Sequence, residues 1–449
     1  MLVATIVVVV MAEPAQGAGR AHLPGSLTPM ASRIASAPGS PAPPAAGHRT
    51  GLGVLRYRDF RLLWTSSVVS NIGTWMHIVT QGWLMYQLTG APLSLGLIGL
   101  TRAVPLLTFP LWGGVVADRI PRVRILYVTQ TTAMALAAGL ATVTVLGFVQ
   151  PWHILLFSFL NASVSSFDNP ARQALIPDLV PAEDLISANS LNSWAFTGAT
   201  LVGPALAAGA LPFIGIGGSF YVNAASFGAV LIALKLLHVR GEVLASGTGR
   251  QNLIEGLRYV RGNPAVLSLI LMTALVSLLG RSYTQLMPVF AQDFLGLNVE
   301  GMSLLYTAAG AGTTVGLLGL ILFRNPPRKG LLAACSGLGC AAAVVLFALS
   351  RIVVISVVLV FLIGFMLIVF TTAVTALLQI LAPPHLRGRA MSVYQLSWQG
   401  LEYVGVLLVG GLATLWGTAA VVAGAAVALA IALLAIIARR SDLAFAELK

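Results

Sequence analysis

The sequence predicts an all-α integral membrane protein whose transmembrane helices form two pseudo-symmetric six-helix bundles. Composition is the first reason, because 57% of the 449 residues are hydrophobic and 9% are charged, whereas a soluble protein carries about 25% charged residues. Runs of about eighteen or more apolar residues also recur, each long enough to cross a bilayer. A helix satisfies its own backbone hydrogen bonds in lipid, so we expect every span to be helical.

About twelve such runs follow one another, and we number them spans 1 to 12. They are predicted near residues 61–88, 93–117, 124–147, 151–170, 186–210, 214–237, 264–290, 300–323, 330–349, 352–379, 388–414 and 417–438. An even number of spans places both termini on the same side of the membrane.

The positive charges fall almost entirely on one side of the predicted membrane. The net charge of +12 would be compatible with a nucleic-acid partner, but the charges cluster in alternate loops. The opposite side holds Arg351 alone, so the positive-inside rule predicts a cell-membrane protein with both termini in the cytoplasm and no nucleic-acid partner. The cytoplasmic clusters comprise Arg56, Arg58, Arg61, Arg119, Arg122, Arg124, Arg172, Lys235, Arg240, Arg250, Arg258, Arg261, Arg324, Arg328, Lys329, Arg387, Arg389, Arg439, Arg440 and Lys449.

Polar segments mark the limits of the two bundles. The opening stretch MLVATIVVVVM is too short to span and lacks the basic region of a signal peptide. The Pro, Ala, Gly and Ser that follow predict a disordered extension over 1–50, with Met30 as an alternative start. The linker 239–263 contains RQNLIEGLRYVRGNP, which is typical of an amphipathic helix on a membrane surface. The bundles are therefore predicted over 51–238 and 264–438, followed by a cytoplasmic tail over 439–449.

The two predicted bundles also resemble each other in sequence. An offset of 205 residues aligns Gly114 with Gly319 and Arg119 with Arg324, in the loop after the second span of each half. Two repeated six-helix bundles with a site between them are the plan of a rocking transporter.

The loop after span 2 has the pattern Gly114-x-x-x-Asp118-Arg119-x-x-Arg122, which resembles the loop motif of the major facilitator superfamily. The stretches GTWMHIVTQGWLMYQLTGAPLSLGLIGL (73–100), FDNPARQALIPDLVPAEDLISANSLNS (167–193) and PPHLRGRAMSVYQL (383–396) look like its transmembrane secretion effector branch. That branch includes enterobactin-exporter-like and macrolide-efflux-like proteins. The resemblance extends over 55–438 and implies the major facilitator fold, with a gating role for the four named motif residues.

The sequence departs from the superfamily pattern at a few positions. Pro121 stands where the loop usually has Gly, and Val123 stands where it usually has a basic residue. Gly203-Pro204 followed by ALAAG resembles the antiporter motif, with alanine in place of its glycine pair. These residues are still small, so close helix packing is preserved.

The resemblance implies that spans 2 and 11 face each other across the seam, which suggests a latch with two ends. At the inner end, Asp118 would pair with Arg387 or Arg389, or with the helix dipole at the start of span 11. At the outer end, Arg102 would pair with Glu402. The separations of 16 residues from Arg102 to Asp118 and 15 from Arg387 to Glu402 correspond to about 24 and 22 Å of helix. Laid antiparallel, the opposite charges match at both ends.

Three ionisable residues lie deep inside predicted spans, where a charge costs about 2.5–3.5 kcal/mol or more. They are Arg102, Arg281 and Glu402. Arg281 either pairs with Glu402 or binds an anionic group of a substrate. Glu402 is the first candidate for proton coupling, because burial and pairing with arginine have opposite effects on proton affinity. Asp168 is the second, with a helix-end cap as its structural alternative, and His77 is the third, with a structural hydrogen bond as its alternative.

Polar side chains form stripes on several predicted spans. Such a stripe either joins helices by hydrogen bonds or lines a water-filled cavity. The candidates for a substrate cavity are Asn71, Thr74, His77 and Gln81 on span 1, Arg281 and Gln285 on span 7, Thr375 on span 10, and Gln395, Trp398 and Gln399 on span 11.

These features favour a secondary active transporter, specifically a proton-coupled exporter of small amphipathic molecules such as a siderophore or an antibiotic. An uptake symporter for a small metabolite is the alternative in the same fold, and a membrane sensor or scaffold is the alternative from another class. No nucleophile–base pair, metal-ligand spacing or phosphate loop is present in the sequence, so we expect neither an enzyme nor a cofactor or metal. The expected partners are a small-molecule substrate, protons and the lipid bilayer, and the expected oligomeric state is a monomer.

Overall fold

The computed structural model of the protein describes residues 51–109, 121–238, 249–322 and 328–439, with the side chains of 51, 52 and 249–254 not described. Within these ranges the chain is helical and contains no strand. The predicted all-α fold is therefore confirmed. The predicted extension over 1–50 and the loop with Gly114, Asp118 and Arg119 lie outside the described residues.

The N-terminal half contains spans 1 to 6. A short 3-10 helix, Gly51–Arg56, precedes span 1. Spans 1 to 4 are the helices Arg58–Thr89, Pro92–Thr108, Arg122–Val145 and Pro151–Leu179. Spans 5 and 6 share one continuous run, Leu185–Leu236, which is interrupted at Gly215.

The break at Gly215 has a direct backbone cause. Its φ of 65° and ψ of −179° lie in a region that glycine adopts without the steric penalty of a Cβ atom. A straight helix of 52 residues would be about 78 Å long, far more than the roughly 30 Å core of a bilayer. The break therefore divides the run into two spans, as the sequence predicted.

The C-terminal half contains spans 7 to 12, after the linker helix Gly249–Gly262. Span 7 occupies Pro264–Phe294, and spans 8 to 10 are Val299–Leu322, Lys329–Leu349 and Val353–Leu381. Span 11 occupies Arg387–Trp416 and span 12 is Thr418–Arg439.

Spans 7 and 11 are not uniform α-helices, which corrects the simple prediction for both. Span 7 begins as Pro264–Leu275, continues as a π-helical turn Val276–Gly280, and ends through the short segments Ser282–Thr284, Met287–Val289 and Phe290–Phe294. Span 11 consists of Arg387–Gln395, a π-helical turn Leu396–Gly400 and Leu401–Trp416. Such π-turns are frequent at functional sites.

Eight of the described helical segments are long and apolar enough to cross a membrane. One of them, Ala182–Leu236, holds spans 5 and 6. The described part of span 2, Pro92–Thr108, is apolar but shorter, because the described residues stop at Phe109. Spans 1 and 4 are not among the eight, and these two carry many of the polar side chains described below.

The most extensive described contacts between the two halves run along two helix pairs. Span 2 packs antiparallel on span 11, where Gly96 lies against Leu407 and Gly99 against Tyr403. Span 5 packs on span 8, where a Cβ atom at Gly310 would lie 2.5 Å from the carbonyl oxygen of Thr200. These pairs hold the halves together on the side that the charge pattern predicts to be external.

Candidate functional site

The centre of the site is a buried ion pair between spans 7 and 11. Nη1 of Arg281 lies 2.6 Å from Oε2 of Glu402, and the two side chains are 22% and 12% exposed. The guanidinium of Arg281 also lies over the ring of Trp398, 4.5 Å from its centroid. The carboxylate and the indole ring together offset part of the cost of burying this arginine.

The two π-helical turns position this pair. Arg281 follows the turn Val276–Gly280 directly, and Glu402 lies two residues after the turn Leu396–Gly400. The hydroxyl of Ser277 donates to the backbone carbonyl of Trp398 at 2.5 Å, which joins the two turns. The irregular backbone of both helices thus lies where their charged side chains meet.

A glycine on span 11 allows the helices to approach this closely. A Cβ atom at Gly405 would lie 1.8 Å from the carbonyl oxygen of Leu278, a distance that no other residue type tolerates without backbone movement. Gly405 therefore fixes the spacing of spans 7 and 11 beside the ion pair.

The second buried arginine, Arg102 on span 2, has neutral partners. Its Nη2 donates to Oε1 of Gln81 at 2.7 Å, and its Nε donates to Oγ of Ser158 at 3.2 Å. Within the described part of the chain, no carboxylate lies within ion-pair distance of Arg102. The expected Arg102–Glu402 pair is thus not formed in this conformation, because Glu402 is held by Arg281 of its own half.

Arg102 and Glu402 nevertheless lie at the same level of the membrane. Gly99 packs against Tyr403, and Leu107 contacts Gly400, so the antiparallel register places Arg102 opposite the segment that contains Glu402. Both Arg281 and Arg102 lie within electrostatic range of Glu402. The two arginines and the glutamate form one cluster, in which each half turns its arginine toward its own helices.

The polar stripe of span 1 is buried between helices near this cluster. His77 and Gln81 are 7% and 1% exposed, whereas Asn71 and Thr74 are half-buried. The ring of His77 packs 4.6 Å from that of Phe220, and its Nδ1 has no hydrogen-bond partner among the described residues. Of this stripe, Gln81 is the residue that contacts the charged cluster.

Asp168 belongs to a separate network on spans 1, 3 and 4. It accepts hydrogen bonds from Thr129 at 2.7 Å and Gln130 at 2.8 Å, and it pairs with Arg172 at 3.1 Å. Arg172 in turn donates to Ser67 at 2.6 Å. Asp168 lies inside the helix Pro151–Leu179 rather than at its end, so it joins three helices instead of capping one.

The other cavity candidates lie on spans 7, 10 and 11 of the C-terminal half. Gln395 and Gln399 are exposed and bonded to each other at 3.2 Å. Gln285 is half-buried, and the hydroxyl of Thr375 donates to the carbonyl of Thr371 on its own helix at 2.8 Å. The antiporter-like pair Gly203 and Pro204 is buried, and a Cβ at Gly203 would lie 2.5 Å from Cβ of Trp75 on span 1.

The described members of the predicted inner gate are held by neighbours within their own halves. Arg122 pairs with Asp178 at 2.9 Å, and Nε of Arg387 donates to the carbonyl of Ala382 at 3.1 Å. Arg389 forms an ion pair with Glu255 of the linker helix. The predicted partner of Arg387 and Arg389, Asp118, lies outside the described residues.

One contact between the halves was missed by the sequence analysis. The hydroxyl of Tyr86, near the end of span 1, donates to Oδ2 of Asp293 on span 7 at 2.5 Å. Asp293 lies three residues beyond the predicted end of span 7, so it was assigned to a loop. An acidic residue at the margin of an apolar run, facing the end of span 1, was the only available signal.

Comparison with known proteins gives consistent results. A family model described as transmembrane secretion effector matches residues 49–447. The chain is 24% identical to the staphyloferrin A transporter of Staphylococcus aureus over 58% of this chain and 66% of that protein, just under two thirds of its length. It is 25% identical to the multidrug efflux pump Tap of Mycolicibacterium fortuitum over 78% and 88%, and 24% identical to the enterobactin exporter EntS of Salmonella typhi over 75% and 78%.

Solved structures have the same fold at lower sequence identity. The nucleoside transporter NupG superposes with a TM-score of 0.63 at 17% identity, covering 85% of this chain and 99% of that chain. A bacterial homologue of the human lysosomal transporter Spinster superposes with a TM-score of 0.63 at 17% identity, covering 87% and 96%.

Proposed function

Because the chain belongs to the transmembrane secretion effector family of major facilitator transporters, we propose that it exports small amphipathic molecules by alternating access, coupled to protons. The protein is a multi-pass membrane transporter and not an enzyme. Export as the direction, the substrate class and the coupling ion are the parts that we propose. We place it in the cell membrane with both termini in the cytoplasm, following the distribution of positive charge, and we expect it to be a monomer.

The observation that carries the proposal is the buried cluster of Arg281, Glu402 and Arg102. Charges are retained inside membrane helices mainly where they serve transport, because each costs several kcal/mol to bury. The cluster lies where spans 2 and 11 of the two halves meet, and the binding sites of transporters built from repeats lie at that kind of interface. Substrate and proton would act on the same charges there, which is the physical basis of coupling.

Glu402 is the proposed proton-coupling residue. Protonation would remove the charge that holds Arg281 and would release an arginine into the site. Asp168 is less suited, because it accepts hydrogen bonds from Thr129 and Gln130 and pairs with Arg172, all within the N-terminal half. His77 is buried against Phe220. Protonation of its imidazole would therefore bury a second cation beside Arg102.

The proposed gates are helix contacts at the two ends of the seam. On the predicted outer side, spans 2 and 11, spans 5 and 8, and the Tyr86–Asp293 hydrogen bond hold the halves together. On the inner side, Asp118 would pair with Arg387 or Arg389 when that end closes. Since Glu255 pairs with Arg389 here, the linker helix would compete with Asp118 for the same cation.

Comparing metabolites of a deletion strain with those of its parent tests this function. We would profile cell extracts and media, with iron replete and iron depleted, and compare deletion strains complemented with wild type or with Glu402→Gln. An exporter predicts a compound that accumulates inside the deletion strain and disappears from its medium, with rescue by wild type only. A compound that stays in the medium and is missing from the cells would identify an importer and overturn the proposal.

A further inference from the structure

The charged cluster of the site contains more positive than negative charge. Two arginines, Arg102 and Arg281, lie within electrostatic range of Glu402, and Glu402 is the acidic residue described at this level of the helices. The carboxylate of Glu402 already forms an ion pair with Arg281, in which Oε2 lies 2.6 Å from Nη1. The described cluster therefore carries one uncompensated positive charge, at Arg102.

The partners of Arg102 orient its guanidinium without neutralising it. Gln81 and Ser158 each accept one hydrogen bond through a neutral oxygen, and a guanidinium has five N–H donors. Three donors thus remain for other acceptors. The planar arrangement of these donors matches two oxygens of a carboxylate or similar acid, which Arg binds in a bidentate manner.

We propose that Arg102 is the subsite for an acidic group of the transported molecule, so that the substrate is an amphipathic acid. One bound acidic group would give Arg102 the counter-charge that Arg281 already has, and the sealed intermediate would then carry no net charge in the cluster. A cationic substrate would instead raise the buried charge to two. This inference rests on the proposed transport function and specifies its substrate class.

The apolar surroundings favour an acid that also carries a ring or alkyl part. Trp398 lies beside Arg281, and His77, about one helical turn before Gln81 on span 1, packs against Phe220. Export of an anion also moves negative charge outward, a direction that an inside-negative membrane potential favours. The electrical part of the proton-motive force would then assist each cycle.

A matched set of probes tests the subsite on the full-length protein in lipid nanodiscs. We would measure binding of 2-naphthoate, 2-naphthamide and 2-naphthylmethylammonium, which share one apolar part and differ in charge. The expected order is carboxylate, then amide, then ammonium, with the carboxylate bound at least tenfold more tightly than the amide. Arg102→Gln should reduce that ratio to about one, while Arg102→Lys should retain part of it.

Two further variants separate this role from a structural one. Gln81→Glu keeps Arg102 but supplies a carboxylate at a position 2.7 Å away, so it should abolish the preference for the acid in a normally folded protein. Arg351→Gln removes a cation from the exposed loop between spans 9 and 10 and should leave the preference unchanged. Carboxylate binding that is no tighter than amide binding, including absent binding of both, would overturn the proposal, as would a preference that survives Gln81→Glu.

These binding results are independent of the direction of transport. Acid selectivity in nanodiscs combined with uptake in the metabolite comparison would overturn export and keep the subsite. Export of a basic compound would support export as the direction of transport and would overturn the acidic subsite at Arg102.

Discussion

Removing one member of the Arg281–Glu402 pair should destabilise the protein far more than removing both. Arg281→Met leaves the Glu402 carboxylate buried, with 12% of its side chain exposed, and Glu402→Leu leaves the Arg281 guanidinium buried, with 22% exposed. Two charges about 4 Å apart attract by about 4 kcal/mol at an effective dielectric constant of about 20, and loss of one partner of a buried pair costs about 3–5 kcal/mol. We therefore expect each single variant to lose about 3 kcal/mol of unfolding free energy.

The double variant should recover most of that loss. When both charges of the pair are replaced by apolar groups of similar size, neither partner is left without its counter-charge, and Arg102 keeps its neutral partners Gln81 and Ser158. Such paired replacements are often neutral. We expect the unfolding free energy of the Arg281→Met, Glu402→Leu double variant to lie within about 1 kcal/mol of the wild type. That result corresponds to a coupling energy of about 5 kcal/mol in the double-mutant cycle. Transport should be lost in all three variants.

The assay is unfolding of purified protein by titration with sodium dodecyl sulfate, followed by tryptophan fluorescence. Arg351→Gln is the matched control, because it removes an exposed cation and should change the unfolding free energy by less than about 1 kcal/mol. Additive losses in the double variant would refute the reasoning, since they would mean that the two side chains contribute independently.

Two further predictions concern the helix contacts. Tyr86→Phe removes the hydroxyl that donates to Asp293, so the predicted outer end should open more often. In a protein with both native cysteines replaced and Gly82→Cys added, maleimide labelling should become several-fold faster. An unchanged labelling rate would contradict the gate. Gly405→Ala should abolish folded expression, since its Cβ would meet a carbonyl oxygen at 1.8 Å, whereas Gly209→Ala, with nothing within 4 Å of the added atom, should express normally.

The helix order and approximate bounds of the spans could be predicted from the sequence, for simple physical reasons. Lipid requires an apolar run of fixed length for each crossing, and runs such as 353–381 satisfy this requirement without help from tertiary contacts. The break between spans 5 and 6 was also predictable, because a run of that length exceeds the thickness of a bilayer.

The pairing inside the site was less predictable. The spacing of Arg102 and Glu402 placed them at the same level, and the packing of Gly99 on Tyr403 agrees with that register. Which arginine Glu402 contacts, however, depends on the π-turns that precede Arg281 and Glu402. No local propensity in the sequence marks these turns, which are joined by the hydrogen bond from Ser277 to the carbonyl of Trp398.

We propose that this transporter moves its substrate outward in exchange for protons through Glu402. Inside-out membrane vesicles test it most directly, using the compound that the metabolite comparison identifies and a fluorescent dye for luminal pH. After acidification of the lumen, we predict accumulation of the compound together with release of protons from the lumen, both abolished by Glu402→Gln. Movement of the compound out of the vesicles, or accumulation that continues unchanged in Glu402→Gln, would contradict the claim.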